Sequence, residues 1–272
     1  MQTLTASDLE TPYSITAQTR ADYQRNGYVK LSSVLSPTTI EHYKPIVGNA
    51  VAERSKHYKP LAERNTYDKA FLQIGNLWTM DAGVRELVFS TRLARIATEL
   101  MGCRGVRLYH DQALYKEPSG GFTPWHCDQR YWPMASANSI TAWIPLQAVP
   151  VEMGPLQFAV GSQHLATGRD LAISDESETV LARTLANCPK DETPYAIGDV
   201  SFHAGWNFHR AGPNRTTTLR AVMTVIYMDI DMHLLSPLPE RFTGEVSYCC
   251  PGIKPGELIA SPINPVLWPS SG

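Results

Sequence analysis

At Gly102 the apolar pattern of this chain changes period, and that change limits the fold to helices packed against a β-rich remainder. Before it, Ile40, Tyr43, Val47 and Val51 recur at helical spacing behind a Ser36-Pro37 helix start, with Pro45 as a kink position. Thr16 to Asn26, closed by Gly27, reads as another helix, and Tyr28 to Leu31 as a short strand. Val84, Leu87, Val88, Leu93, Ile96, Ala97 and Leu100 predict one long helix from about Asp81 to Met101, ended by Gly102. From Val106 onward, short β-branched and aromatic runs predict strands over 106–116, 140–146, 156–160, 200–202 and 219–229. Gly120-Gly121, Gly154-Pro155 and Gly212-Pro213-Asn214 are the turns between them. Strands so spaced predict a double-sheet jelly roll, not a parallel α/β sheet. The polar stretch from Ala166 to Thr193 reads as a surface insertion or lid, with a short helix at Ser177 to Leu185.

A chain of 272 residues that is 43% hydrophobic can bury the core of one large domain. We divide it into a helical part over about 1–104, a β core over about 105–232 and a C-terminal tail over 233–272. The net charge is −2 and the basic residues are scattered, so neither nucleic acid nor an anionic membrane is an expected partner. A small molecule is. Five cysteines without CxxC spacing, no apolar leader and no membrane-length stretch predict a soluble protein of a reducing cytoplasm. Oligomeric state cannot be read from these features.

The chemistry gathers around WHCDQRYWP, Trp125 to Pro133. In an extended strand His126 and Asp128 share a face while Cys127 points away into packing. A second histidine would complete the two-histidine, one-carboxylate triad that holds Fe(II) and leaves positions open. His209 precedes a turn near Asn214, and Arg220 follows in an apolar strand, at a similar distance from the bend. A buried arginine needs an anion, and its planar fork suits a carboxylate: the far carboxylate of 2-oxoglutarate, or a core Asp or Glu. His203 competes for the third position but lacks the turn and arginine at the matched distance, so His209 is preferred. His110 and His164 read as hydrogen-bonded core or loop residues. For Trp125, Tyr131, Trp132 and Trp206 two readings stand, substrate walls or ordinary core.

The order HxD, His, Arg resembles the phytanoyl-CoA dioxygenase family of Fe(II)- and 2-oxoglutarate-dependent oxygenases. YQRNGYVKLSSVLSPTTI, LVFSTRLARIATELMGC, MGPLQFAVGSQH and GDVSFHAGWNFHRAGPNRTTTLR are similar to its successive segments. The resemblance implies a mainly β, double-stranded β-helix (cupin-like jelly roll) with N-terminal helices. It implies His126, Asp128 and His209 as iron ligands and Arg220 as the clamp on 2-oxoglutarate. Gln112, Trp143 and Gln73 match positions near the co-substrate, with dioxygen as the oxidant. One departure is visible: where the family often has a serine that helps the arginine, this chain has Ala211. Because Asp128 fills the position that halogenating relatives leave open to halide, the implied reaction is hydroxylation, or else desaturation, cyclisation or epimerisation, in secondary metabolism. A cupin-like metal enzyme without 2-oxoglutarate and a non-catalytic 2-oxo acid binding module are the alternatives.

Overall fold

The computed structural model describes residues 7–64 and 69–269. Its helices are α1 (Ser7–Glu10), α2 (Ala17–Asn26), α3 (Pro37–Arg54), α4 (Ala82–Val88), α5 (Thr91–Met101), α6 (Asp175–Thr184) and α7 (Thr243–Cys249). The strands are β1 (Tyr28–Leu31), β2 (Leu72–Gly75), β3 (Val106–Lys116), β4 (Thr123–His126), β5 (Ser139–Pro145), β6 (Leu156–Ala159), β7 (Lys190–Asp191), β8 (Val200–Ala204), β9 (His209–Ala211), β10 (Arg220–Asp229) and β11 (Val266–Trp268). They form a seven-stranded sheet, β1-β8-β5-β10-β3-β11 with β2 beside β3, and a four-stranded sheet, β4-β9-β6-β7. Every pairing is antiparallel, as a jelly roll requires.

The larger sheet carries the core. Its outer face meets the helices, where Val47, Leu87, Leu93 and Ile96 pack against Leu108, Ile140, Ile144, Phe202 and Val225. The helix starts follow from their caps: Thr16 accepts from Thr19 N at 3.0 Å and Ser36 from Thr39 N at 3.2 Å. The single helix expected over 81–101 is two. Ser90 breaks it, its hydroxyl accepting from Leu93 N at 3.3 Å and donating to Leu9 O at 2.9 Å. Apolar spacing continues through the break because both pieces bury the same side, so period alone could not find it.

The stretch 166–193 is also more than a surface lid. Its helix α6 buries Leu181, and the residue that closes it, Leu185, packs beside Leu181 against Trp125, Cys127 and Phe208. Glu178 on α6 accepts from Trp125 N at 2.6 Å and from Arg210 Nη1 at 3.0 Å, joining β4 to β9. Beyond the β core, β11 pairs with β3, and α7 packs beneath Tyr109 and Met228 through Cys249. No described helix is long and apolar enough to cross a membrane, and all five cysteines are free.

One buried acid makes stability depend on pH. Asp111 in β3 accepts from Leu77 N at 3.1 Å, and burial pushes its carboxyl up to about 7. The folded chain therefore keeps a proton that the unfolded chain releases above about 4. This contribution is full below about pH 4, is lost as pH rises through about 7, and is level beyond. Urea unfolding of Asp111→Asn across pH 4–7 should show a shallower loss of stability than the parent; parallel curves would contradict the assignment.

Candidate metal centre

The two sheets face each other across a cavity of about 290 Å³, and the residues expected from HxD meet in it. Strand β4 ends at His126, and Asp128 already opens a short 3-10 turn, so the expectation of one strand through both is corrected. The shared face survives because Cys127 between them stays extended, at φ −125° and ψ 137°. Cys127 itself packs with Phe208 and Leu181 on the other side.

His209 pairs with His126 across β9 and β4, and their rings lie 4.2 Å apart. Asp128 Oδ1 stands 3.6 Å from both His126 Nε2 and His209 Nε2. His126 Nδ1 is 2.7 Å from Pro124 O and His209 Nδ1 is 3.0 Å from Asn207 O. Donation of the Nδ1 protons to those carbonyls fixes the tautomer and turns two Nε2 lone pairs towards Asp128 Oδ1. Burial drives both imidazoles down to about 4, so they are neutral, the form a metal ligand needs. Burial raises the Asp128 carboxyl, but His209, His203 and His126 outweigh it and hold it below the usual carboxylate range.

His203 is in the site as well, but on the other carboxylate oxygen. Its Nε2 lies 3.1 Å from Asp128 Oδ2, which also accepts from Thr141 Oγ1 at 3.1 Å. Oδ2 is thus restrained while Oδ1 faces the two Nε2 atoms, an arrangement that orients a ligating carboxylate.

Arg220 lies in the same cavity, but not as the partner of His209 in a hairpin. His209 is in the smaller sheet and Arg220 pairs with Lys116 in the larger one, so the turn near Asn214 crosses between sheets. Arg220 is buried, donates from Nη1 to Gly154 O, and stacks 5.5 Å from the Trp143 ring centroid. No carboxylate pairs with it among the described residues, which removes the core Asp or Glu reading. Burial lowers its guanidinium to about 10, still charged at neutral pH, and drives the adjacent Lys116 amine down to about 6. The positive charge at this end therefore rests on Arg220.

Besides His203 Nδ1, three buried polar atoms of cavity residues have no hydrogen-bond partner among the described residues: Arg220 Nε, Trp143 Nε1 and Thr123 Oγ1. Thr123 stands directly opposite Ala211 in the β4–β9 pairing and lines the cavity. Unsatisfied groups of this kind are costly unless a ligand meets them, and the set suits an acid. Gln112, Gln73, Tyr131 and Trp132 also line the cavity; Trp206 does not, lying instead beside Arg169. Sequence reasoning missed Thr123, Glu245, Tyr248 and Cys249 and read His110 as a hydrogen-bonded core or loop residue, and all five line it. Strict alternation puts Thr123 on the face of Trp125 and Cys127, away from His126, so no local pattern marked it; the β4–β9 pairing is irregular between Thr123 and His126.

A jelly roll enclosing a two-histidine, one-carboxylate cluster and a buried arginine is the frame of a non-haem iron oxygenase. The model of the phytanoyl-CoA dioxygenase (PhyH) family matches residues 23–222, and the chain belongs to that family. It is an enzyme of the Fe(II)- and 2-oxoglutarate-dependent oxygenases, with dioxygen as oxidant. It is 23% identical over 228 residues, 79% of each chain, to a probable alpha-ketoglutarate-dependent hypophosphite dioxygenase of Stutzerimonas stutzeri. The fold is shared with the alpha-ketoglutarate-dependent carbocyclase SnoK of nogalamycin biosynthesis, at a TM-score of 0.79 and 23% identity over 94% of this chain and 98% of that one. It is shared too with the epimerase SnoN of the same biosynthesis, at 0.74 and 24% over 92% and 97%. EctD from S. alaskensis follows at 0.67 and 20% over 84% and 83%.

Proposed function

We propose that this enzyme oxidises an unactivated C–H bond of a small organic molecule in secondary metabolism, with hydroxylation as the outcome. Desaturation, cyclisation and epimerisation are the related outcomes, and the named carbocyclase and epimerase of the same fold keep them in view. The observation that carries the reading is the convergence of Asp128 Oδ1 with two Nε2 atoms in one cavity with an arginine that has no carboxylate partner.

In this reading His126, Asp128 and His209 would hold the iron, and Arg220, stacked on Trp143, would take the far carboxylate of 2-oxoglutarate. Thr123 supplies the hydroxyl that Ala211 lacks, from the strand paired opposite it. Iron with bound 2-oxoglutarate supplies the activation of dioxygen at the expense of oxidative decarboxylation to succinate. The protein's part is placement. The carbonyls of Pro124 and Asn207 keep both imidazoles turned inward, while His203 and Thr141 hold the spare oxygen of Asp128. Gln112, Gln73, Tyr131 and Trp132 line the same cavity, and in this reading the two glutamines meet the co-substrate while the aromatic pair shields the substrate from water. Because a carboxylate fills the Asp128 position, halide has no place there and halogen transfer is excluded.

The test is a substrate library read by coupled succinate formation under labelled dioxygen. One label atom should enter succinate, and under hydroxylation the other should enter product, diluted by exchange with water. Substrate turnover without labelled succinate, or a halogenated product, would sink the proposal.

A further inference from the structure

The cavity has a charged group that neither iron nor 2-oxoglutarate uses. Glu245 lines it from α7, which follows the segment matched by the family model. Its Oε1 accepts from Tyr109 OH at 2.9 Å and lies 3.2 Å from Cys249 Sγ. Oε2 has no protein partner among the described residues, and none of their cations forms an ion pair with Glu245. His110 completes the cluster. Burial keeps Tyr109 and Cys249 protonated and lowers the His110 imidazole, so none of these neighbours brings a charge to the cluster. Trp132, 6.1 Å from the His110 ring, and Tyr248 add aromatic surface to the same wall.

The sheet register says which end of the cavity this is. His110, Ile226, Thr141 and His203 are successive partners across β3, β10, β5 and β8. Thr141 and His203 hold Asp128, so His110 lies in the row that carries the metal cluster. Arg220 is six residues further along β10, on the order of 20 Å at strand rise. Glu245 and His110 therefore face whatever lies beside the metal, away from the Arg220 end.

A partly buried carboxylate without a counter-ion is stabilised by an arriving cation and repels an anion. Aromatic faces beside it add cation–π attraction for the same ligand. We infer that Glu245, with Trp132 and Tyr248, forms a subsite for an ammonium group, making the substrate a basic, nitrogen-bearing small molecule and not a carboxylate or phosphate. The inference rests on the proposed function for its meaning as a substrate subsite. Its size agrees: about 290 Å³ is at the small end of ligand cavities, and 2-oxoglutarate takes part of it.

Cyclohexylamine, cyclohexanol and cyclohexanecarboxylate present one body with three charges. Each is titrated calorimetrically into the parent protein and Glu245→Gln, with Mn(II), in the absence of 2-oxoglutarate and again at its saturation. The parent should bind the amine about 10-fold or more tightly than the alcohol, as expected of a charge-assisted bond. Glu245→Gln, isosteric and still able to accept from Tyr109, should lose that preference and bind the carboxylate better than the parent does. Equal affinity for amine and alcohol in the parent, or an unchanged preference in the variant, overturns the inference. So does uptake of Zn(II) beyond one equivalent that Cys249→Ser abolishes, which would make His110, Glu245 and Cys249 a second metal site. The amine comparison needs no turnover: failure of 2-oxoglutarate to bind would sink the proposed function while leaving the ammonium subsite standing.

Discussion

His126→Ala, Asp128→Ala and His209→Ala should emerge from anaerobic reconstitution without stoichiometric iron, whereas His203→Ala should keep it. The reason is the division of labour at Asp128. Oδ1 faces His126 and His209, each at 3.6 Å, and Oδ2 faces His203 at 3.1 Å. Removing a ligand removes a bond to the metal; removing His203 only loosens the carboxylate's orientation. Outer partners of this kind are worth about 10- to 100-fold in metal affinity, so His203→Ala should weaken binding within that range at unchanged stoichiometry. Iron retained by His209→Ala and lost from His203→Ala would exchange their roles.

Arg220→Ala should raise the 2-oxoglutarate requirement by about 30- to several-thousand-fold, the equivalent of roughly 2–5 kcal/mol for truncating one partner of a buried charge pair. Arg220→Lys should recover part of this, because an ammonium cannot reproduce the fork. Thr123→Val removes only one hydroxyl and should cost about 10-fold, near the worth of a hydrogen bond to a charged group. Calorimetric titration of 2-oxoglutarate into each variant checks the order. An unchanged affinity in Arg220→Ala would return Arg220 to a structural role.

Much of this site was legible because its chemistry is written in short spacings. His126 and Asp128 are one residue apart, and an extended Cys127 was enough to bring them together even though β4 stops at His126. Arg220 was legible from cost: a guanidinium in an apolar strand needs an anion. Its geometry was not, since a turn read from Gly212-Pro213-Asn214 does not reveal that β9 and β10 belong to different sheets. His203 was weighed as a rival ligand, and its contact with the second oxygen of Asp128 depends on how β8 packs against β5, which no local pattern carries. Thr123 and Glu245 were silent for the same reason. A threonine in a strand and a glutamate on a short helix are ordinary until the fold turns them into one cavity. The break at Ser90 and the buried side of α6 show the converse limit, where a regular or a polar pattern hides what packing decides.

The most direct measurement is an anaerobic titration of the metal-free protein with Fe(II) and then 2-oxoglutarate, followed by visible absorption. The account predicts one iron per chain and a metal-to-ligand charge-transfer band that saturates at one equivalent of 2-oxoglutarate, absent from His209→Ala and shifted to far higher 2-oxoglutarate in Arg220→Ala. Iron binding with no such band at any 2-oxoglutarate concentration, or a band equally strong in His209→Ala, would contradict it.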